Sequence, residues 1–555
     1  MGILLALFAL RAHGADRASP TPAVERKPVA LQQPADLLPE SNPAVSSDPT
    51  LRFRIAWGGG AERIWQGRVG LSAGTISDPH SLGVEADEPG SMWVAGDHLE
   101  LRAQTPRAYD GVDFAVNAPL SAKLLVEFVP RGDDKHAQTI EVPLADLMRD
   151  VHNGQLDDQG NRVLIRRAPG DAIQLKLDRD SLVFSPGEEW PLEIQPQLPL
   201  LAPGTLLHLK ATLASARGGK ALWSKEQEVK VNAPETSSSV SFAITMPADE
   251  GVYELQLEAS ERGLLRWNKP VADRKLQFIV LGTQPIALPT NRATWTTVEE
   301  LDPANPKGWD LLTAWPGLNN FRKGPLSNGH SAIWNHSLGP LIQLAPSPRN
   351  GELSWEAYPL AISKPGMPHI LEVDVPSDIA QTLGISILEP NAAGALLPIG
   401  LDSGIDVAEE MAPATSHWLH HRIVFWPRTK SPLVMFSNHR ETTRAVFGKL
   451  RVLAGPAHLS RLLPDTGETS GRMLAGYLQK PLFPQNFSAS EALDSWSGRS
   501  LTDWQTFYEG GTRLIEYLHH TGQNGLMLGI LADASTIYPS RLVEPTPRYD
   551  TGAFF

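Results

Sequence analysis

The stretch TDWQTFYEGGTRLIEYLHHTGQNGLMLGILADASTIYPSRLVEPTPRYDTGAFF, Thr502–Phe555, decides the fold reading, because a helical pattern there runs into a buried strand. Trp504, Phe507, Tyr508, Leu514, Ile515 and Leu518 recur at the three-to-four spacing that sets one apolar stripe on a helix. Thr502 and Gln505 stand where a capping box would place them, and Gly522 supplies a left-handed stop. The Gly510-Gly511 pair should weaken the middle of this helix by roughly 1 kcal/mol per glycine relative to alanine, so tertiary packing has to hold it. Gly525–Ala532, GLMLGILA, is apolar without alternation, as expected of a strand covered on both faces in a parallel α/β sheet.

Such a strand cannot stand alone. It needs parallel neighbours, each reached by a crossover of about a dozen residues or more. Two accounts follow. The helix and strand dock onto whatever lies upstream, or the chain is the front part of a longer protein whose barrel continues beyond it; the second is the expectation carried forward. Asp533, Ser535 and Tyr538 follow the carboxyl end of the strand, which is the end that carries the chemistry in α/β barrels. They are candidate substrate-binding residues, with ordinary capping and loop packing at a strand end as the competing account.

Within Thr521–Gly552 the spaced elements are Gly522 to Asn524 before the strand, then Tyr538, Pro539 and Ser540, then Pro545, Tyr549, Thr551 and Gly552. This pattern resembles the opening of the barrel in family 10 glycoside hydrolase-like bacterial proteins, over about the last tenth of the chain. The resemblance implies an α/β (TIM) barrel, hydrolysis of O-glycosidic bonds and a polysaccharide substrate. Asp533 stands where those proteins often carry an arginine, so their substrate contacts do not transfer directly to this position.

At the other end, Ile3 to Leu10 is apolar and Ala12-His13-Gly14 suits a signal peptidase, which makes residues 1–15 a signal peptide without a basic start. Residues 16–50, rich in Ala, Pro and Ser, read as a disordered tether. The expected destination is therefore export: periplasm, cell surface or outside the cell. No run approaches the about 20 apolar residues needed to span a bilayer. With 0 Cys in 555 residues the protein has no disulfides and must rely on large cores. A formal net charge of −13 without long blocks of one sign argues against nucleic acid as a partner. No cofactor is expected.

Between these ends the reading is mainly β: tandem sandwiches followed by the first helix-strand unit of an incomplete barrel. Residues 51–170 open with Phe53, Ile55 and Trp57 alternating against arginines, then Gly58-Gly59-Gly60 and a returning strand from Ile64 to Leu71, which reads as a hairpin of a β-sandwich. Pro143 to His152 suits one short helix. Residues 171–283 show roughly seven strands at regular spacing, including Ile173, Leu175 and Leu177 and then Leu207, Leu209, Ala211 and Leu213, the pattern of an immunoglobulin-like sandwich. Residues 284–456 carry six further strands after an aromatic, loop-rich lead-in with Trp295 and Trp334, and read as a jelly-roll-like domain. Residues 457–501 read as a linker, and 502–555 as the start of the barrel.

The polar and aromatic candidates each carry two readings. His417, His420, His421 and His439 suggest a metal, but His420 and His421 are adjacent on a strand and point to opposite faces, so no metal site is expected. Trp418 and Trp426 are candidates to stack on a sugar, while Val424 and Trp426 also alternate as core residues would. Glu409-Glu410 reads as a solvated turn, since glycoside hydrolysis needs two facing carboxylates roughly 5 to 10 Å apart. The expected function is the accessory region of a secreted glycoside hydrolase-like enzyme, itself inactive because the catalytic barrel is missing, with a non-catalytic cell-surface or adhesion protein as the alternative.

Overall fold

The computed structural model describes residues 50–82, 90–133, 137–176, 179, 182–231, 239–261, 269–282, 294–305, 325–347, 352–413, 415–460, 473–479, 486–493, 500–532 and 535–537. The expected signal peptide (1–15) and all of the tether (16–50) but Thr50 lie outside the described residues. The described chain is mainly β and forms several sheets.

Two five-stranded sheets make the first sandwich. One runs in the order Thr75–Ser81, Arg107–Asn117, Thr50–Arg63, Arg162–Arg167, His152–Gln155, and the other Met92–Ala95, His98–Arg102, Trp65–Leu71, Lys123–Pro130, Gln138–Pro143. Phe53, Ile55 and Trp57 from one sheet meet Trp65, Val126 and Phe128 from the other in a single core, with the Trp57 and Phe128 rings 4.9 Å apart. The expected hairpin at Gly58–Gly60 is not there. Thr50–Arg63 is one strand of the first sheet and Trp65–Leu71 belongs to the second, so the chain crosses between sheets at Ile64. Gly58 and Gly59, with φ of 115° and 93°, bend the strand instead of reversing it, and a Cβ at Gly58 would run into the carbonyl of Ala108. The short helix expected after Pro143 is a single turn, Leu144–Leu147.

The second sandwich closes a three-stranded sheet, Ile173–Lys176, Glu189–Pro196 and Val240–Thr245, over a five-stranded one that includes Leu206–Ser215, Gly251–Glu261 and Lys269–Val280. Alternation is faithful: Leu207, Leu209, Ala211 and Leu213 are buried and the residues between them are not. Trp190, Phe184 and Phe278 pack tilted and edge-to-face in the core, and the Tyr253 hydroxyl donates to the carbonyl of Asp249 at 2.7 Å, a corner that pins one strand entry in sandwiches of this kind.

In the third sandwich, a four-stranded sheet, Thr296–Leu301, Leu450–Ala454, His369–Pro376 and Trp418–Phe425, faces a five-stranded sheet built around Leu433–Asn438 and Gln381–Pro390. Their inner faces share one core with Phe425, Phe436, Phe447, Leu371 and Ile385. Trp334, placed by its sequence in a loop-rich lead-in, lies on a strand, Ser331–His336.

The last segment differs from all of these. The helix forms over Trp504–His520, and Gly522, at φ 79°, ends it as the sequence requires. Its cap is Asp503 with Thr506, not Thr502 with Gln505: the Asp503 carboxylate accepts from the Thr506 N–H at 3.0 Å and the Thr506 hydroxyl completes the box. The apolar stripe divides in two. Trp504 and Tyr508 pack on Ala216, Val252 and Ile279 of the second sandwich, whereas Phe507, Leu514, Tyr517 and Leu518 pack with Trp426, Val424 and Trp295 of the third and with Phe487. Every residue of this helix is buried or half-buried, Gly510 and Gly511 included, so the packing that offsets their poor helix propensity comes from two sandwiches at once.

GLMLGILA does not make the continuous, doubly covered strand that its composition suggests. Only Gly525–Leu528 is a strand before the chain breaks at Gly529-Ile530 and resumes at Leu531–Ala532. Its parallel partner is Ala475–Leu478, within 457–501, so strand, helix and strand form one βαβ unit. Leu478, Leu526 and Leu528 turn toward the helix, and the opposite face leaves Tyr477 68% and Met527 60% exposed.

Candidate functional site

Trp418, His420, Arg422, Val424 and Trp426 alternate along one strand and its exit, and so share the outer face of the four-stranded sheet in the third sandwich. The register sets His420 opposite Asp374, and Arg422 opposite Glu372, Arg451 and Glu300 in turn across the sheet. Each cation therefore meets a carboxylate on the neighbouring strand.

Arg451 grips Asp374 with both nitrogens, Nη1 to Oδ1 at 2.8 Å and Nη2 to Oδ2 at 2.9 Å, and reaches Glu372 at 3.0 Å. Arg422 takes the other oxygen of Glu372 at 2.7 Å, and His420 Nδ1 lies 2.6 Å from Asp374. Lys449 adds Glu300 at 3.5 Å. The two carboxylates lie beneath this layer with side-chain exposures of 9% and 5%, while Arg422 and His420 are more than half exposed above them. The hydrogen bond to Asp374 is the largest influence on Arg451, raising its pKa and keeping it charged.

Among the described residues, Glu372, Asp374 and His420 are one group of ligand atoms close enough to share an ion. The arrangement does not suit a cation. All four carboxylate oxygens already accept from guanidinium groups, and a dication would have to displace two arginines. His421 points away from this face as the strand alternation requires, and burial pushes its pKa down. His417 and His439 are engaged elsewhere, with Ser377 and Ser437. Glu409 and Glu410 lie exposed on a short turn.

The two tryptophans of this face part company. Trp418 is half-buried, and its ring lies across Gly448, where a Cβ would come within 3.1 Å of it. Trp426 is 2% exposed and packs edge-on against Phe487 under the C-terminal segment, which leaves no ring face for a ligand; of its two readings the core one holds. One half of the sheet face is thus open and polar, the other closed and apolar.

Of the residues nominated at the strand end, Asp533 and Tyr538 lie outside the described residues, and Ser535 pairs through its backbone with Ala532 in a two-stranded ladder. A residue that sequence reasoning passed over anchors the whole segment. Asp503 is fully buried and ion-paired with Arg217 of the second sandwich through both oxygens, the longer contact being 2.7 Å, and accepts from Gln277 at 2.9 Å. Gln277 in turn accepts from the Trp504 N–H at 3.1 Å. Burial alone would raise the Asp503 pKa, but Arg217, the Thr506 N–H and Gln277 outweigh it and hold the carboxyl below its ordinary range. Arg217 keeps a left-handed backbone, φ 68°, to make this clamp, a conformation that costs on the order of 1 kcal/mol for a residue with a side chain.

No protein family matches the chain, and no curated protein does. Solved structures that resemble it include a putative β-galactosidase from Bacteroides fragilis, at 7% identity and a TM-score of 0.18 over 44% of this chain and 31% of that one. Others are a Paenibacillus cycloisomaltooligosaccharide glucanotransferase, at 7% identity and TM-score 0.17 over 52% and 72%, and a tandem of CBM22 domains from Paenibacillus barcinonensis, at 9% identity and TM-score 0.19 over 55% and 98%. The chain spans less than a third of the length of the first of these. TM-scores this low do not define a shared fold. Among the described residues, no helix is long and apolar enough to cross a membrane.

Proposed function

We propose that this chain is the accessory β-sandwich region of an exported, glycoside hydrolase-like protein acting on polysaccharide, and that its βαβ unit opens an α/β barrel. The observation that carries this reading is the parallel pair Ala475–Leu478 and Gly525–Leu528, joined through a helix, with one face still apolar and exposed. Parallel sheets are covered on both faces in the folds that use them, so this unit calls for more strands and helices of the same kind. The spaced residues Gly522 to Asn524, Tyr538 to Ser540 and Pro545 to Gly552 supply the resemblance that names the barrel.

In that scheme the general acid and the nucleophile or base come from carboxylates at the ends of barrel strands not in this chain. The 555-residue polypeptide by itself hydrolyses no glycoside. Its own part is to hold a glycan chain at the Trp418 face, where a ring for stacking adjoins fixed donors and acceptors. Turnover of a polysaccharide or an aryl glycoside by the purified chain, surviving contaminant controls, overturns the catalytic half of the proposal. Undiminished polysaccharide binding by Trp418→Ala overturns the binding half.

A second reading has its own support. The Asp503–Arg217 clamp and the two-sided burial of the helix are what a terminal appendage of a non-catalytic cell-surface or adhesion protein would show. Reading the gene beyond the Phe555 codon separates them. A frame that continues through repeated strand-helix patterns with two strand-end carboxylates favours the enzyme, and a stop codon favours the adhesion protein.

A further inference from the structure

The first sandwich repeats, on its own outer face, the arrangement seen around Trp418. On the sheet built from Met92–Ala95, His98–Arg102, Trp65–Leu71 and Lys123–Pro130, the register lines up Trp93, Glu100, Arg68 and Glu127 in one row across four strands. Arg102 and Gln66 form the next row. Glu100 lies nearly buried under the others: Arg68 Nε donates to it at 2.9 Å, His98 Nε2 lies 3.1 Å away and Arg102 Nη2 reaches its second oxygen at 3.5 Å. Above it, Arg68 is 54% and Arg102 58% exposed. The Arg102 guanidinium stands 5.4 Å from the centre of the Trp93 ring, which is itself 38% exposed at the edge of the sheet.

This is an aromatic ring at the end of a flat row of planar hydrogen-bonding groups whose positions are fixed by a buried carboxylate. Arg68 and Arg102 are balanced by Glu100 and Glu127 on the same face, so an anionic ligand gains no net attraction there, least of all on a chain of net charge −13. What the face offers is a ring for the apolar side of a pyranose and forks of donors and acceptors for vicinal hydroxyls.

We infer that the Trp93 face is a second glycan-binding platform, selective for neutral polysaccharide. It rests on the glycan-binding reading of the chain but uses a different domain, and its test keeps the two apart. The full chain, its Trp93→Ala, Trp93→Tyr and Arg102→Ala variants, and Trp418→Ala are compared by affinity electrophoresis and calorimetry. The probes are xylan, mixed-linkage glucan and galactomannan as neutral polymers, and polygalacturonate as an acidic one.

The expected result is at least a tenfold loss of affinity for one neutral polymer in Trp93→Ala and Arg102→Ala, with Trp93→Tyr keeping most of the binding. Trp93→Tyr should melt close to the parent, which separates loss of the ring from loss of the fold, since Trp93 is 38% exposed at the sheet edge. If Trp93→Ala binds like the parent while Trp418→Ala does not, the Trp93 platform is overturned and the Trp418 reading stands. If Trp93→Ala loses binding and Trp418→Ala keeps it, the platform stands without its counterpart. Binding to polygalacturonate alone, weakening as salt is raised, overturns the neutral class.

Discussion

The helix Trp504–His520 and the parallel strands beside it belong to one βαβ unit, yet they meet their surroundings in opposite ways. The helix is buried or half-buried along its whole length, against the second sandwich through Trp504 and Tyr508 and against the third through Phe507 and Leu514. Among the described residues the strand pair packs on the helix through one face, and Tyr477, Met527 and the neighbouring Met473 and Leu531 are exposed on this part of the unit. Among the described residues, the helix is seated on two sandwiches through an ion-paired cap, whereas the parallel pair leaves Tyr477 and Met527 exposed. The unit has a packed foundation in its helix and an exposed apolar face on its strands.

Breaking the foundation has the largest expected effect. Asp503→Ala removes the helix cap and leaves the Arg217 guanidinium and Gln277 without their shared acceptor, in a setting where loss of one partner of a buried pair is costly. The expected destabilisation is roughly 3 kcal/mol, read as a lower midpoint in denaturant titration, with the second sandwich loosening together with the helix. A loss below about 0.5 kcal/mol would mean that the clamp is ornamental and the helix is held by its apolar faces alone.

Next comes Phe507→Ala, which opens the apolar cluster that the helix shares with the third sandwich, Phe487 and the parallel strands. Emptying a site that is 7% exposed should cost about 3 kcal/mol, with the fluorescence of buried Trp426 shifting to the red as water reaches it. Because Leu514 and Trp504 pack on different sandwiches and lie ten residues apart, roughly 15 Å along the helix axis, the double variant Trp504→Ala/Leu514→Ala should be nearly additive. Strong coupling between them would show that the two docking faces respond as one.

Acid acts on the same clamp more gently. The folded-state pKa of Asp503 is lowered, so its contribution to stability is fully present above the ordinary carboxyl pKa of about 4 and is lost as pH falls through the lowered folded value. The parent should lose stability in that acid window more steeply than Asp503→Asn, which carries no titrating group there. Parallel acid profiles for the two would dissociate the ion pair from the acid response.

The legible parts of this architecture are those in which local pattern and tertiary environment agree. Leu207, Leu209, Ala211 and Leu213 alternate because one sheet face is core and the other is solvent, and the sequence carries that directly. The Gly522 stop is legible for the same reason, since only its own backbone is involved. Trp418 and Trp426 share a strand face by parity, but a segment more than 60 residues further on covers one and not the other, and no local signal carries that. Ala475–Leu478 is four residues long and reads as linker, yet it supplies the parallel partner of Gly525–Leu528. Thr502 and Asp503 are both competent caps; Arg217, far away in sequence, decides between them. At Gly58–Gly60 the glycines signal a change of direction, but only the positions of both sheets show that the chain crosses between them instead of turning back.

The smallest expected effect probes the exposed strand face. In this chain Tyr477 and Met527 sit opposite each other on the bare face, so replacing both with lysine should shift stability by no more than about 0.5 kcal/mol. Self-association should fall, because the apolar surface offered to a second molecule is interrupted by charge. Sedimentation velocity and thermal melting read the two quantities separately. The informative comparison is with any longer polypeptide that carries this segment in frame. If further strands and helices cover the face there, the same two lysines become buried charges and the cost rises to several kcal/mol, whereas an unchanged small cost would leave the face bare in the longer protein as well. A pair of substitutions that is silent in one context and severe in the other would place covering elements on this face in the longer protein.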